Sequence, residues 1–578
     1  MKKHIIVPAA LICAILFPGC SKFDEMSKNP YALYEAPAES FVQPILFKTE
    51  SNLISVFRST TAHLMQYAVS TSSEVTSRIV ANYNIPEGTS DDIWTGLYLQ
   101  YGNAMKMYEV AVKEDSKPMQ AVALILRNMI AMNITDTYGN VPYFEAGLLS
   151  LDNAEDRYVT KYDNQKDIYC NMICNFEEAN ELLASSEETS FSELCDKTYK
   201  GDLDKWRRFG NALYARALLR IANKVIEEDG GVLSLGDEKW ETVDVKTKLA
   251  ELFNCFQTGS GDYPVMRDLD DRAVVPFDKD NETAQTPFYS ITSGNWNNCA
   301  ACDVLVRRML DTSEHVDSDG QVYYSYLKSA SGGHPEDPRY DAYWRKANGA
   351  PTQMLSTASA RFFASTDHRS NAGNSLIGRM PEGSTASAIT GKIYDVKNAP
   401  YYPLMNFSEL CFIFAEAGAR GWIPAAAGLG SYIGLFKQGI TASILEWNPY
   451  VNEESPEVVD FVNYIVNGEQ FSGQTFNSDN AVEAIVTQKW VSLYFSGIQS
   501  WADYRRTGYP LLKTNGPAAQ NKGILPTRLR YPSDEAYRNV EYYQEALDSW
   551  LGGTNNIQTD VWWADTKQSK AIRLLGRQ

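Results

Sequence analysis

Residues 135–146, Thr135-Asp136-Thr137-Tyr138-Gly139-Asn140-Val141-Pro142-Tyr143-Phe144-Glu145-Ala146, mark the point at which a long apolar segment ends. The segment from Met119 to Tyr138 is almost wholly apolar in its centre, which is typical of a helix buried by its neighbours. Gly139 follows at once, where a helix end commonly needs left-handed backbone that glycine adopts without strain. The stretch therefore predicts the C-terminal end of a buried helix.

Apolar residues at helical spacing predict further helices on both sides of this one. Four lie in the same half of the chain and three lie later: Ser40–Ala68, Thr95–Val112, Gln165–Leu183, Lys205–Ile226, Leu404–Gly421, Ala425–Ile444 and Ala481–Phe495. Between the two groups, residues 227–399 break into short elements with clusters of Gly, Ser, Asn, Asp and Pro. The predicted fold class is mostly α: a helical-hairpin, tetratricopeptide-like scaffold with a long irregular, loop-rich insert.

The N-terminus has the pattern of an export signal. Two lysines precede an apolar run from Ile5 to Phe17, which closes on Pro18-Gly19-Cys20 and is too short to span a bilayer. A cysteine after a small residue at this point is similar to the lipobox of bacterial lipoproteins. We therefore predict a signal peptide at 1–19, lipid attachment at Cys20 and a lipidated tether at 20–39, with ordinary cleavage to a soluble periplasmic protein as the alternative.

Charge and cysteine content exclude several classes of function. The formal net charge is −19, which argues against nucleic acid and anionic lipid as partners and suits neutral ligands. The cysteines are scattered along the chain, so most are predicted to be buried thiols rather than a disulfide framework. Cys299 and Cys302 have the spacing of a redox or zinc pair, but one such pair alone indicates neither, and their disulfide state is left open.

Sequence motifs of catalysis are missing. The chain has five histidines and contains no HExxH, no G-x-S-x-G and no Walker A motif, and His63 is predicted to be a packed or surface residue. The acidic clusters at 268–271 and 317–320 hint at calcium but are better explained as solvated loops. We predict no catalytic residue, metal or cofactor. A glycoside hydrolase with an unmarked pair of carboxylates is left open.

Aromatic residues are the positive signal, since Trp, Tyr and Phe make up 12% of the chain. Sugar rings stack on aromatic side chains, while sugar hydroxyls bond to Asn, Asp and Arg. The predicted ligand-binding residues lie in three loops: Tyr83; Phe288, Tyr289, Asn295 and Trp296; Phe362, Phe363 and Asn371. Trp296 is the strongest candidate for ligand binding, because asparagines surround it in a stretch without apolar periodicity. The alternative for each ring is core packing, as we predict for Trp94 and Trp206.

The stretch at 135–146 closely resembles the signature of SusD/RagB-type proteins, surface nutrient-binding lipoproteins of Bacteroidetes. Further blocks agree with this family in the same order: Trp94 with Tyr98 and Asn103, Lys161–Tyr169, Trp206–Arg220, Asp337-Pro338-Arg339, Glu409–Gly421, Gln488-Lys489-Trp490 and Trp501–Pro510. The resemblance covers nearly the whole mature chain. Several of these residues also have a structural reading: the arginines at 216, 220, 505 and 506 are placed to pair with carboxylates between packed helices.

The resemblance implies one SusD-like domain at 40–578, with helical repeats at 40–226, an irregular ligand-binding insert at 227–399 and C-terminal helices with a tail at 400–578. It also implies a lipid-anchored protein of the outer membrane that faces the cell exterior. Its partner would be a TonB-dependent, SusC-like transporter that it covers as a lid. The predicted function is non-catalytic binding of a nutrient glycan for delivery to that transporter. Binding of peptides or another non-carbohydrate nutrient is the alternative, and glycoside hydrolysis the less favoured one.

Overall fold

The structure is a computed structural model, and most of the chain is described by it. The described residues are 36–70, 80, 83, 85–147, 159–277, 299–310, 312–316, 322–326, 335–340, 401–424, 430–448, 450–467, 469–471, 474–512, 514 and 524–575. Within these residues the protein is mostly helical, as predicted, and strands occur only in short pairs. No helix among them is both long and apolar enough to cross a membrane.

The N-terminal half is built from long helices in succession. They are α1 (Val42–Val56), which continues through a π turn to Leu64, α2 (Asp91–Lys113), α3 (Lys117–Tyr138), α4 (Gln165–Ala184) and α5 (Leu203–Glu227). Each of α2 to α4 packs against the helix that follows it. The five predicted helices are thus confirmed to within a few residues. Trp94 and Trp206 are buried, as predicted.

The start of the insert is more regular than predicted. A hairpin of β2 (Val232–Ser234) and β3 (Thr242–Asp244) is followed by α6 (Val245–Thr258), so the short elements predicted from residue 227 include a regular helix. The Asp244 carboxylate caps α6 by accepting from the Thr247 backbone amide at 2.8 Å. Because polar and glycine-rich loops flank α6, the sequence pattern did not reveal this short helix.

The remaining elements form the rest of the insert and the C-terminal part. The strands are β1 (Ala68–Ser70), β4 (Ala273–Pro276), β5 (Cys299–Ala301), β6 (Thr312–Val316), β7 (Val322–Tyr326), β8 (Tyr401–Met405), β9 (Glu469–Phe471) and β10 (Gln474–Thr475). The helices are α7 (Asp303–Met309), α8 (Phe407–Ala419), α9 (Tyr432–Trp447), α10 (Pro456–Asn467), α11 (Ala481–Ser492), α12 (Gly497–Thr507), α13 (Glu535–Arg538), α14 (Val540–Trp550) and α15 (Lys567–Leu575). Of these helices, α8, α9 and α11 confirm predictions. The sequence pattern missed α7, α10 and α12, and the tail is more helical than predicted.

Asp136, one turn before the end of α3, is the point at which several helices meet. The Tyr169 hydroxyl and the Trp563 indole N–H donate to its Oδ1 at 2.6 and 2.9 Å. Arg220 Nη1 lies 3.1 Å from its Oδ2, and Arg505 donates to its backbone carbonyl. The side chain is fully buried, and its carboxylate fixes α3 against α4, α5 and the C-terminal tail, while its backbone carbonyl adds the contact with α12.

The other predicted arginine pairs also join helices. Arg216 donates to both oxygens of Glu409, at 2.8 and 2.6 Å, and so joins α5 to α8. Arg506 donates to both oxygens of Glu416, at 2.6 and 2.7 Å, and so joins α12 to α8. Arg505 differs from the prediction, because its guanidinium donates to backbone carbonyls and forms no ion pair within the described residues.

Gly139 ends α3 as predicted, with a φ of +87°. Its position is crowded as well as strained, because a Cβ built on it would collide with the indole ring of Trp550 on α14. The residue therefore lets the C-terminal tail pack directly on the end of the buried helix.

The first prediction concerns the charge of Asp136. Asp136→Asn keeps the acceptor for Tyr169 and Trp563 but turns an amide toward Arg220, which leaves a buried charge without its partner. We expect a loss of about 3 to 5 kcal/mol in the free energy of unfolding, measured by urea denaturation. Asp534→Asn is the matched control, because its partner Arg538 is well exposed, and should cost less than about 1 kcal/mol. Equal losses would contradict this assignment.

The second prediction concerns Gly139. Gly139→Ala adds both backbone strain, about 1 to 3 kcal/mol, and a collision with Trp550. Gly236→Ala adds strain at a similar positive φ but meets no neighbouring atom within 4 Å. Thermal unfolding should therefore show a larger drop in the melting temperature for Gly139→Ala than for Gly236→Ala. A drop of the same size in both would show that the contact with Trp550 is unimportant.

Candidate binding site

Most of the predicted ligand-binding residues lie outside the described residues. These are Phe288, Tyr289, Asn295, Trp296, Phe362, Phe363 and Asn371, and the predicted lipid-attachment residue Cys20 also lies there. The structure describes the strands and helices from which these loops begin and to which they return. The candidate site is therefore defined by the strands and helices at which its loops begin and end.

Tyr83 is the one predicted ligand-binding residue that is described. Its ring is fully buried, its φ is +66°, and the Gln66 side-chain amide donates to its hydroxyl at 2.8 Å. Protein atoms therefore cover the ring. This burial favours the packing alternative for Tyr83 over a stacking role.

The first pair of strands brings two of the predicted loops together. β1 and β5 are antiparallel, with Ser70 opposite Cys299 and Ala68 opposite Ala301. The chain that leaves β1 toward residues 71–84 therefore starts beside the chain that enters β5 from residues 278–298. Strands more than 200 positions apart in sequence thus pair directly.

The second pair of strands closes the base of the insert. β4 and β8 are antiparallel, with Pro276 opposite Tyr401. The chain that leaves the scaffold after residue 277 therefore lies beside the chain that returns at residue 400. Both ends of the segment that carries the second and third predicted loops are held at this base.

A set of aromatic rings in mutual contact connects the two strand pairs. This aromatic cluster consists of Phe57, Tyr67, Trp447, Trp490, Tyr494 and Phe495, all buried. Tyr67, directly before β1, stacks on Trp490 with ring centroids 4.9 Å apart. At the other side Tyr401, the first residue of β8, lies 6.4 Å from Trp447. Each such ring pair contributes about 0.5 to 1.5 kcal/mol beyond its buried area, so the cluster holds both loop bases on one support.

Polar contacts hold a third point of the insert. Arg339 is fully buried and donates to the Asp337 carboxylate at 2.7 Å and to the Gln488 side-chain oxygen at 2.7 Å. The Asp337 backbone amide donates to the carbonyl of Met309 at the end of α7. This short segment therefore joins the insert to α11 through the Asp337-Pro338-Arg339 block.

Glu446 lies close to the base of the insert. Its carboxylate accepts from the Ser408 backbone amide and hydroxyl at 3.0 and 2.5 Å, and its carbonyl accepts from the Tyr401 hydroxyl at 2.6 Å. Burial raises the pKa of Glu446 to about 7, and the bonds from Ser408 oppose this rise. The residue joins α9 to the start of β8 and the start of α8.

Tyr450 is an exposed ring near these anchors that the sequence reasoning missed. Its side chain is 73% exposed. Two residues earlier, the Asn448 side-chain amide donates to the Pro338 carbonyl at 2.9 Å, so Tyr450 lies beside the third anchor of the insert. Its sequence, Asn448-Pro449-Tyr450, has the same mixture of a polar residue and an aromatic ring as the predicted loops, which was the available signal.

Buried acidic residues serve the scaffold in the described part of the chain. Lys489 and Arg506 both contact the Asp503 carboxylate at 2.9 Å. Burial raises the pKa of Asp503, but these two cations outweigh it and hold that pKa well below its ordinary value. Asp271, from the first acidic cluster, accepts from Arg208 at 2.9 and 3.0 Å.

Two further predictions concern metal ligands and thiols. Among the described residues, no group of three or more His, Cys, Asp or Glu side chains is placed to hold a metal ion. His63 is buried, and its Nδ1 lies 3.2 Å from the Ala68 carbonyl oxygen, so it is a packed residue. Five described cysteines are buried, as predicted: Cys170, Cys174, Cys255, Cys302 and Cys411.

Solved structures share this architecture over nearly the whole chain. A chitin-binding SusD homologue from Flavobacterium johnsoniae is 19% identical, with a TM-score of 0.64 over 92% of this chain and 99% of its own. A SusD homologue from Bacteroides fragilis is 19% identical, with a TM-score of 0.62 over 90% of this chain and 100% of its own. One from Bacteroides thetaiotaomicron is 19% identical, with a TM-score of 0.63 over 92% and 100%. At these identities the likeness establishes the fold.

The sequence itself supplies the family. A search of curated protein sequences gives no match. The family model SusD-like, described as starch-binding and associating with the outer membrane, matches residues 30–532. That range contains all the predicted family blocks from Trp94 to Pro510. Because the match covers most of the chain, the protein belongs to the SusD-like family of outer-membrane-associated binding proteins.

Proposed function

We propose that the protein binds a nutrient glycan at the outer face of the outer membrane and delivers it, unmodified, to a TonB-dependent, SusC-like transporter. The observation that carries this proposal is the family match over residues 30–532, whose description names starch binding and the outer membrane. A relative of the same fold is named as chitin-binding, which supports a glycan as the ligand class. The acidic net charge of −19 supports an uncharged glycan rather than an anionic one.

The proposed ligand platform lies above the pair β1 and β5. Trp296 and Asn295 precede β5 by only a few positions, so they start from a strand that the aromatic cluster holds in place. Phe288 and Tyr289 belong to the same loop. An aromatic ring with amide side chains beside it suits a sugar, because the ring stacks on C–H groups while the amides bond to hydroxyls.

The third predicted loop completes the proposed platform. Phe362, Phe363 and Asn371 lie in the segment that returns to the scaffold at β8. Pairing of β8 with β4 places the end of this segment beside the start of the Trp296 loop. Surface loops on a rigid frame commonly carry binding residues, and both loops begin on the same frame.

Anchoring and delivery form the second part of the proposal. Cys20 is proposed as the lipid attachment site, and residues 20–39 as the tether that connects it to the helical scaffold. A lipid anchor would keep the binding protein close to the membrane and so within reach of a transporter. More than one acyl chain is needed for stable anchoring, which the lipoprotein pattern at Cys20 would supply.

The third prediction tests the platform through Trp296. Trp296→Ala removes the ring proposed to stack on the sugar, so we expect affinity for the retained polysaccharide to fall by about 1 to 3 kcal/mol. The measurement is affinity gel electrophoresis of detergent-solubilised protein in gels that contain soluble starch or glycol chitin. Tyr537→Ala is the matched control, because Tyr537 is 82% exposed on α13 and is not one of the proposed platform residues.

The outcomes separate the candidate functions. Retention that weakens with Trp296→Ala and not with Tyr537→Ala supports the proposal. Unchanged retention in Trp296→Ala removes this residue from the site. No retention on any polysaccharide favours the peptide-binding alternative, and release of shorter sugars on prolonged incubation would end the non-catalytic interpretation.

A further inference from the structure

A cavity of about 280 Å³ lies on the helical scaffold, between α4, α6 and the β2–β3 hairpin. Its rings are Trp240 and Tyr263, and its floor includes Glu177 and Tyr214. The lining residues named here all belong to the described ranges. Tyr83, the one predicted ligand-binding residue that is described, is not among them.

The floor of the cavity is a pre-ordered polar network. Glu177 is buried, and its Oε1 accepts from the Tyr214 hydroxyl at 2.8 Å while Lys248 Nζ lies 3.1 Å away. Its Oε2 accepts from the Tyr263 hydroxyl at 2.7 Å. A carboxylate offers about four acceptor positions, so one position on Oε2 is still available for a ligand hydroxyl.

Lys248 is fully used within this network. Its three N–H groups are directed to the Tyr263 hydroxyl at 2.8 Å, to Glu251 at 2.8 Å and to Glu177 at 3.1 Å. Burial lowers the pKa of Lys248, but the bonds to Glu251 and Tyr263 outweigh that effect, so the ammonium stays charged. The charges of Lys248, Glu177 and Glu251 therefore partly neutralise one another, and a bound ligand does not have to carry a charge.

Trp240 supplies the apolar wall. Its backbone amide donates to the Asp237 carboxylate at 2.9 Å, which fixes the hairpin turn. Lys239 Nζ lies 4.4 Å from the centre of its ring and is paired with Glu181. Trp240 is itself partly exposed and lines the cavity.

The mouth of the cavity is acidic and carries hydroxyls. Glu181, Asp244 and Glu251 lie there, together with Thr242 and Thr247. Counting Glu177 in the floor, four carboxylates line the cavity, and two ammonium groups pair with them: Lys239 with Glu181, and Lys248 with Glu177 and Glu251. Carboxylates accept hydrogen bonds from sugar hydroxyls but repel a ligand carboxylate or sulfate.

We infer that this cavity is a second saccharide subsite, which holds a single uncharged pyranose ring against Trp240 with its hydroxyls directed to Glu177, Asp244 and Glu251. The inference rests on the proposed glycan binding for its class of ligand, but it uses described side chains of the helical scaffold and its hairpin instead of the predicted loops. A ring wall with a polar floor and a cavity of this size suit one sugar unit rather than a chain. The subsite would hold a side branch or an end of a glycan that the loops bind elsewhere.

The fourth prediction tests the subsite with free sugars. Saturation-transfer-difference NMR is measured on detergent-solubilised full-length protein with glucose, N-acetylglucosamine and glucuronate as probes. We use the Trp296→Ala background so that the proposed platform contributes little. At least one of the two uncharged sugars should bind, and glucuronate should bind on the order of tenfold more weakly than that sugar or not at all.

Variants at the cavity then decide the assignment. Trp240→Ala should lower the affinity for the bound sugar on the order of tenfold, and Trp240→Phe should restore most of it. Thr247→Arg, at an exposed position of the mouth, should block binding without disturbing the fold, which thermal unfolding checks. Tyr537→Ala should have no effect.

The results also separate this inference from the proposed function. Binding of neither uncharged sugar, equal affinity in Trp240→Ala and the parent, or glucuronate bound as well as the uncharged sugars would overturn the subsite. Any of these results would leave polysaccharide retention through Trp296 intact if the proposed function holds. If the unsubstituted protein is not retained on any polysaccharide while a free sugar still binds at Trp240, the proposed platform alone is overturned.

Discussion

The burial of the Asp136 carboxylate is the constraint on which the rest of the structure depends. A buried charge is costly unless it is paired and hydrogen bonded, and Asp136 meets that need with groups from α4, α5 and the tail. Helices that are distant in sequence must therefore occupy one relative arrangement. Two further buried ion pairs, Arg216 with Glu409 and Arg506 with Glu416, fix α8 against α5 and α12. Helices positioned in this way give the insert a fixed support.

Local pattern was sufficient to predict the scaffold but not the base of the site. Apolar periodicity located α2 to α5, and Gly139 marked the end of α3 because a positive φ there favours glycine. Pairing of β1 with β5 joins segments more than 200 positions apart and leaves no local signal. Tyr83 shows the same limit, since its polar neighbours in sequence suggest exposure while a tertiary bond from Gln66 accompanies full burial.

The side chains that stabilise the core differ from the side chains that are proposed to bind a ligand. Aromatic rings serve both purposes: Tyr67 and Trp490 stack in the core, whereas Trp240 and Tyr450 are partly or largely exposed. Composition alone could not separate these uses, because a ring packs or binds according to what covers it. The carboxylates divide in the same way, with Asp503 held by cations in the core and others at the mouth of a cavity.

The central claim is that the scaffold brings the loops of the insert together into one glycan-binding platform. A crystal structure of the protein soaked with a short starch or chitin oligosaccharide tests it most directly. The account predicts sugar density in contact with Trp296 and with at least one of Phe362, Phe363 and Asn371. Sugar bound in full occupancy with none of these residues in contact would contradict it.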